Sequence, residues 1–139
     1  MFKKILVPLD GSEHSRKALE AAIQIAQRFD GKITLIHVYS IGGLAASPEP
    51  VHDFIQAIRR VGARILEEEE KKLKTKGIQV DTILVEGHVV DKIVKTCREG
   101  GFDLIVMGAR GLSRVKELIL GSVSEGVTRH ACCPVLVVK

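Results

Sequence analysis

Residues 102–126 read FDLIVMGARGLSRVKELILGSVSEG. The fold turns on how this stretch is read. LIVM, at 104–107, is an unbroken aliphatic run. A strand with one face in water alternates apolar and polar residues, whereas one covered on both faces reads as a continuous apolar run. Glycines follow at 108 and 111, and a third, Gly121, stands directly before Ser122. Glycine costs backbone entropy on folding, so such positions need either a positive φ or a close backbone approach. What approaches is either the protein itself or a ligand.

Working outward, the same grammar repeats. KKILVPL is a short aliphatic strand, and DGSEHSRKALEAAIQIAQRFDG is a helix after it. Ser12 is a fair N-cap; Ala18, Ala22, Ile25, Ala26 and Phe29 share one face, with Gly31 as the stop. KITLIHVY is the second strand, and SIGGLAASPEP is a loop. A long helix runs from Val51 to about Lys76, with Phe54, Ile55, Ile58, Val61, Ile65 and Leu66 as its apolar stripe. Its tail pairs Glu67 with Lys71, Glu68 with Lys72 and Glu70 with Lys74, a solvated face to which no ligand is assigned. QVDTILVEG is the third strand, HVVDKIVKTCREGG a helix ended by Gly100 and Gly101, and FDLIVMG the fourth strand. LSRVKELIL reads as a short helical piece, Ser122 to about Ala131 as the last helix, and PVLVVK as the fifth strand. Aliphatic strands alternating with helices predict one α/β domain over 1–139, a parallel sheet with helices on both faces.

Composition bounds the function. The 139 residues suffice for one domain with a real core. Hydrophobic residues at 45% and charged ones at 27% exclude a disordered chain. Aromatics at 4% make the core aliphatic and leave few stacking platforms for single-stranded nucleic acid. A net charge of +4 tolerates anionic ligands without the concentrated basic stripe of DNA binders. MFKKILVPLDGS is too short and too interrupted for a signal peptide, and no run reaches transmembrane length, so a cytoplasmic location is expected. Cys97, Cys132 and Cys133 show no CxxC spacing and read as small reduced hydrophobes.

In open parallel sheets ligands bind beyond the carboxyl ends of the strands, where strand order reverses. Two strand ends here are unusual, VPLDGS after the first and MGARG after the fourth. The order 3-2-1-4-5 makes those strands neighbours and points both loops into one crevice. Glycines let backbone N–H groups close around oxygen anions, and the unpaired N–H groups and dipole at the start of a helix favour negative charge. Ser122 adds a hydroxyl, and Arg110, Arg114 and Lys116 supply positive charge. Any single glycine here is most simply a turn; the set together favours a phosphate-bearing ligand. GxxxxGK[ST] and an early GxGxxG are absent. Gly108 to Gly111 is formally the GxxG of RNA-clamping KH domains, but a strand precedes it where KH has a helix. A phospho-receiver role for Asp10 lacks the acidic cluster it needs.

The chain resembles the universal stress protein family. Its nucleotide-binding members carry G-x2-G-x9-G-[ST], matched here by Gly108, Gly111, Gly121 and Ser122, with LSRVKELIL filling the gap. ILVPLDGSEHSRKALEAA, LIHV and CCPVLVVK are similar to the family as well, so the likeness covers essentially the whole chain. It implies a three-layer, Rossmann-like α/β sandwich around a five-stranded parallel sheet, with ATP or a related adenine nucleotide in the crevice. By position, Pro8, Asp10 and Val38 would line the adenosine pocket, Val38 through its backbone and Asp10 near the ribose hydroxyls. Met107, Gly108, Arg110, Gly111, Gly121, Ser122 and Val123 would line the ribose and phosphate side. The family often has Gly-x-Pro after the third strand; here Val89 stands at the proline's place. The family also commonly dimerises through its last strand, so a homodimer through PVLVVK is expected.

No catalyst stands out. Nucleotide hydrolysis needs a positioned water and charge stabilisation, and no general base is legible. The histidines at 14, 37, 52, 88 and 130 are scattered, and none pairs at zinc spacing. His37 reads as a core histidine; His14 and His130 could approach the crevice, though nothing in their spacing says so. A divalent cation, Mg2+ or Mn2+, would enter only through the phosphates. The expectation is a nucleotide-dependent stress-response switch, with SIGGLAASPEP and LSRVKELIL as its moving parts. A slow ATPase at the same site, an interaction protein with a vestigial pocket and, weakest, a nucleic-acid binder are the alternatives.

Overall fold

The three central aliphatic runs, ILV at 5–7, ITLI at 33–36 and LIVM at 104–107, are strands buried on both faces, whereas the runs at 80–86 and 135–138 are edge strands that are only partly buried. In the computed structural model, which describes residues 1–46, 50–111 and 120–139, the elements are β1 (Lys4–Pro8), α1 (Glu13–Phe29), β2 (Lys32–Tyr39), α2 (Pro50–Thr75), β3 (Val80–Glu86), α3 (Val89–Gly100), β4 (Leu104–Gly108), α4 (Ser122–His130) and β5 (Val135–Val138). All strand pairs are parallel and the order is β3-β2-β1-β4-β5. This is the three-layer, Rossmann-like α/β arrangement expected from the sequence. Strand order reverses between β1 and β4.

The two faces carry separate cores. Ile5, Val7 and Leu9 of the β1 run, with Ile33 and Leu35 of β2 and Leu104 and Val106 of β4, meet Leu19 and Ala22 of α1 and Leu66 and Leu73 of α2. The alternate residues Leu6, Ile36, Ile105 and Met107 point the other way and meet Ile93 and Cys97 of α3 and Val127 of α4. The period-2 alternation of a strand sends one continuous apolar run into both cores.

Several local expectations are corrected by packing. In α2, Phe54 and Val61 are 60% and 62% exposed. The buried stripe runs instead through Gly62, Leu66 and Leu73, with Ile55, Ile58 and Ile65 partly covered. Gly62 is there because a Cβ would lie 2.5 Å from the His37 ring of β2. In α1, Leu19 is buried and Phe29 is 39% exposed, edge-on to Phe2. Its stop is Asp30, at φ 54°, rather than Gly31. Gly31 is small because the Phe2 carbonyl presses on it. Lys74 pairs with Glu70 at 3.9 Å as the spacing predicts, but Lys72 meets Glu69 at 3.4 Å rather than Glu68. Gly42–Ala46, inside the expected loop, form a 3-10 turn. Of the helical piece expected at 112–120, residues 112–119, with Arg114 and Lys116, lie outside the described residues, as do 47–49.

Candidate functional site

The crevice is built where β1 and β4 end side by side. After Pro8, β1 leaves the sheet; Leu9 still donates to the Ile36 carbonyl at 2.8 Å. A residue of a parallel strand directs its N–H and C=O to one side, and the next residue to the other. Ile36 faces β1, so Val38 does too, at a level where β1 has already turned away. Its backbone therefore opens on the crevice, while its side chain packs on the α3/α4 core. His37 faces the α2 side and donates from Nδ1 to the Leu9 carbonyl at 2.7 Å. It is a satisfied structural histidine, as read from the sequence.

Asp10 is fixed before it meets any ligand. Its Oδ1 accepts the Ser12 backbone N–H at 2.8 Å. Ser12 in turn caps α1, its Oγ accepting the Ser15 N–H at 3.1 Å. The acid and the cap are thus one local device, an Asx turn feeding a helix start.

The glycines now have partners. A Cβ on Gly108 would lie 2.8 Å from the backbone carbon and Cβ of His14, in the first turn of α1. A Cβ on Gly111 would lie 2.6 Å from Asp10 Oδ2. Neither glycine has a positive φ, so both are small to permit close approach. Gly111 joins the two loops: the strand-four loop passes against the carboxylate of the strand-one loop. Gly121 and Ser124 close the far side. Gly121 N–H and Ser124 Oγ both donate to the Ala109 carbonyl, each at 2.7 Å, and Ala109 N–H is held by Val138 at 2.8 Å. This pins the start of α4 to the end of β4. Gly121 caps α4 without a side-chain hydrogen bond, unlike Ser12 on α1 and His88 on α3. Ser122 is exposed at the head of the helix, and Val123 is half-buried against the α3/α4 core.

Two placements depart from a simple lining. Met107 is buried in the α3/α4 core, so only its backbone borders the crevice. His14, which the spacing could not place, stands at the crevice with Arg110: the Arg110 Nη2 lies 3.4 Å from His14 Nε2. An Nε2 that accepts leaves the ring proton on Nδ1, and Nδ1 is buried with no partner among the described residues. Ser124 and Ala109 were equally missed. Nothing in the sequence distinguishes Ser124 from Ser122; its burial is set by contact with the end of β4. A separate surface hollow of about 740 Å³ lies toward the amino ends of the strands, among Lys4, Lys32, Asp81, Glu99 and Phe102. Its charges are of both signs, and Lys32 and Asp81 already pair at 2.6 Å.

Fold and crevice together define a Rossmann-like α/β protein whose glycine loop meets a fixed acid at a strand-order reversal, beside a helix start with no side-chain cap. The universal stress protein family model matches residues 1–139, and the chain belongs to that family. It is 38% identical to the universal stress protein YxiE of Bacillus subtilis over the full length of both chains. Among solved structures, MJ0577 of Methanocaldococcus jannaschii superposes with a TM-score of 0.91 at 33% identity, covering 100% of this chain and 96% of that one. A family member from Arabidopsis thaliana with AMP bound gives 0.75 at 27% identity, covering 99% and 91%.

Proposed function

We propose that the chain binds an adenine nucleotide, ATP, ADP or AMP, between the β1 and β4 loops, and that occupancy acts as a stress-response signal rather than a step in turnover. The observation that carries the reading is Gly111 against Asp10: a glycine packed on a fixed carboxylate joins a phosphate-type loop to a ribose-type acid. The AMP complex of the Arabidopsis relative supports the ligand class. In this reading Val38 offers backbone groups to adenine, beside Pro8. Asp10 accepts from ribose hydroxyls. Met107 and Gly108 border the sugar through their backbone. Arg110, Gly111, Gly121, Ser122 and Val123 hold the phosphates, using the first N–H groups of an α4 that has no side-chain cap. The residues fit the group: the helix start has no side-chain cap, Gly108 and Gly111 carry no side chain, and the buried His14 Nδ1 beside Arg110 has no partner among the described residues. Mg2+ or Mn2+ would be held through the phosphates.

A second reading, slow ATP hydrolysis, is favoured by the His14–Arg110 pair beside the phosphate loop. Calorimetry with each nucleotide, and native mass spectrometry of the purified protein, test the first reading. Micromolar to millimolar binding with turnover far below the ordinary enzyme median of about 10 per second supports it. No binding at millimolar nucleotide removes it. Phosphate release above background, however slow, that is lost in His14→Ala with binding retained establishes the second.

A further inference from the structure

Three thiols distant in sequence meet at one point. Cys97 lies in the last turns of α3; Cys132 and Cys133 follow α4. The Cys97 Sγ is 3.3 Å from that of Cys133 and 3.7 Å from that of Cys132. All three are free, and they grade from buried Cys97 through half-buried Cys133 to exposed Cys132. Among the described residues no set of three His, Cys, Asp or Glu is arranged to hold a metal ion. A disulfide, by contrast, joins two thiols at about 2.05 Å, and two candidates already stand 3.3 and 3.7 Å from Cys97. Cys133 Sγ also contacts the Pro134 carbonyl at 3.4 Å, which leaves Cys132 as the thiol presented to solvent.

We propose that this cluster is a peroxide-oxidised dithiol site, in which Cys132 takes the oxidising equivalent and Cys97 resolves it as an intramolecular disulfide. The bond ties α3 to the segment between α4 and β5. In the first step the Cys132 thiolate attacks a peroxide oxygen; an S–O bond forms, the O–O bond breaks, and hydroxide leaves to become water. Cys132 is then a sulfenic acid. In the second step the Cys97 thiolate attacks that sulfur; S–S forms, S–O breaks, and the leaving hydroxide takes up the Cys97 proton as water. Two thiols and one hydrogen peroxide give one disulfide and two waters. Burial, then hydrogen bonds with Cys133 and Cys132, hold the Cys97 thiol far above its ordinary range, and burial raises Cys133 as well. The buried thiol is thereby a poor entry point for peroxide, and the resolving step accelerates as pH rises.

The test is stoichiometric hydrogen peroxide on the reduced full chain, read by thiol titration and by peptide mapping without reductant. Free thiols should fall from three to one with no covalent oligomer, and Cys97 should appear linked to Cys132. Cys133→Ser should keep the link. Cys97→Ser, or Cys97→Ala where serine is not tolerated in the core, should abolish it and leave a dimedone-reactive Cys132. Cys132→Ser should slow oxidation at least about tenfold. A Cys97 that stays free while Cys132 proceeds to sulfinic acid or links two chains overturns the proposal. So does a link lost in Cys133→Ser and kept in Cys132→Ser.

Discussion

At Gly108 and Gly111 an absent side chain serves two different ends. Gly108 faces the backbone of His14, which cannot move without shifting α1. Gly108→Ala should cost about 1–3 kcal/mol by overpacking, visible in urea unfolding. Gly111 is exposed and faces a carboxylate. Gly111→Ala should leave unfolding within about 0.5 kcal/mol. By displacing Asp10 it should weaken nucleotide binding about tenfold or more in calorimetry, roughly 1.4 kcal/mol. Equal effects of the two variants on stability would refute this division. Cys97 offers a second test at this scale. Its folded pKa lies above the ordinary 9.0, so above pH 9 the folded chain retains a proton that the unfolded chain releases. The stability it contributes is complete below that pH and is lost as pH rises. Under reducing conditions Cys97→Ala should show a shallower alkaline decline in stability than the wild type; parallel declines would remove Cys97 as a cause.

The element that decides the site is α4. Its two early serines have opposite surroundings: Ser122 is exposed, while Ser124 is buried and donates to Ala109 and Gly121 carbonyls at 2.7 and 3.0 Å. Ser122→Ala should weaken nucleotide binding with stability unchanged. Ser124→Ala should cost about 1 kcal/mol or more and also weaken binding, because the glycine loop loses a tie to the helix start. Hydrogen exchange at the Ala109 and Gly121 amides should rise in Ser124→Ala and not in Ser122→Ala. The reverse pattern would mean that Ser124 is not what pins α4.

At the scale of the whole molecule, β5 is one edge of the sheet. Its Pro134 and Val138 carbonyls serve Ile105 and Ala109 of the β4 side, so Val135 and Val137 turn their N–H and C=O groups outward. Leu136 is 39% exposed on the same strand. An edge with free ladder groups and apolar side chains invites a second copy, and a two-fold antiparallel pairing would cover both. We therefore propose a homodimer through β5. Val137→Pro removes an outward N–H without touching the β4 ladder, so it should shift sedimentation toward monomer while leaving the fold's circular dichroism intact. A wild type already monomeric at micromolar concentration would refute the dimer. Among the described residues no helix is long and apolar enough to cross a membrane.

The sequence by itself determined the class of fold and where its chemistry gathers. Continuous aliphatic runs mark the strands, doubly covered at the centre of the sheet and only partly at its edges, and both that signal and the spacing of Gly108, Gly111, Gly121 and Ser122 are local, written in neighbouring residues. Strand order was legible only through the wish to give two odd loops one crevice, and it was right. What sequence could not carry was everything set by contact across the chain. Gly111 is small because of Asp10 and Gly62 because of His37, pairs whose members are distant in sequence. Phe54 and Val61 fit the helical period yet lie in solvent, because helix period says which residues share a face and only packing says how wide the covered face is. The three cysteines read as inert because their spacing matches no motif. The tertiary structure brings the end of α3 to the end of α4, and spacing along a chain contains no record of that meeting.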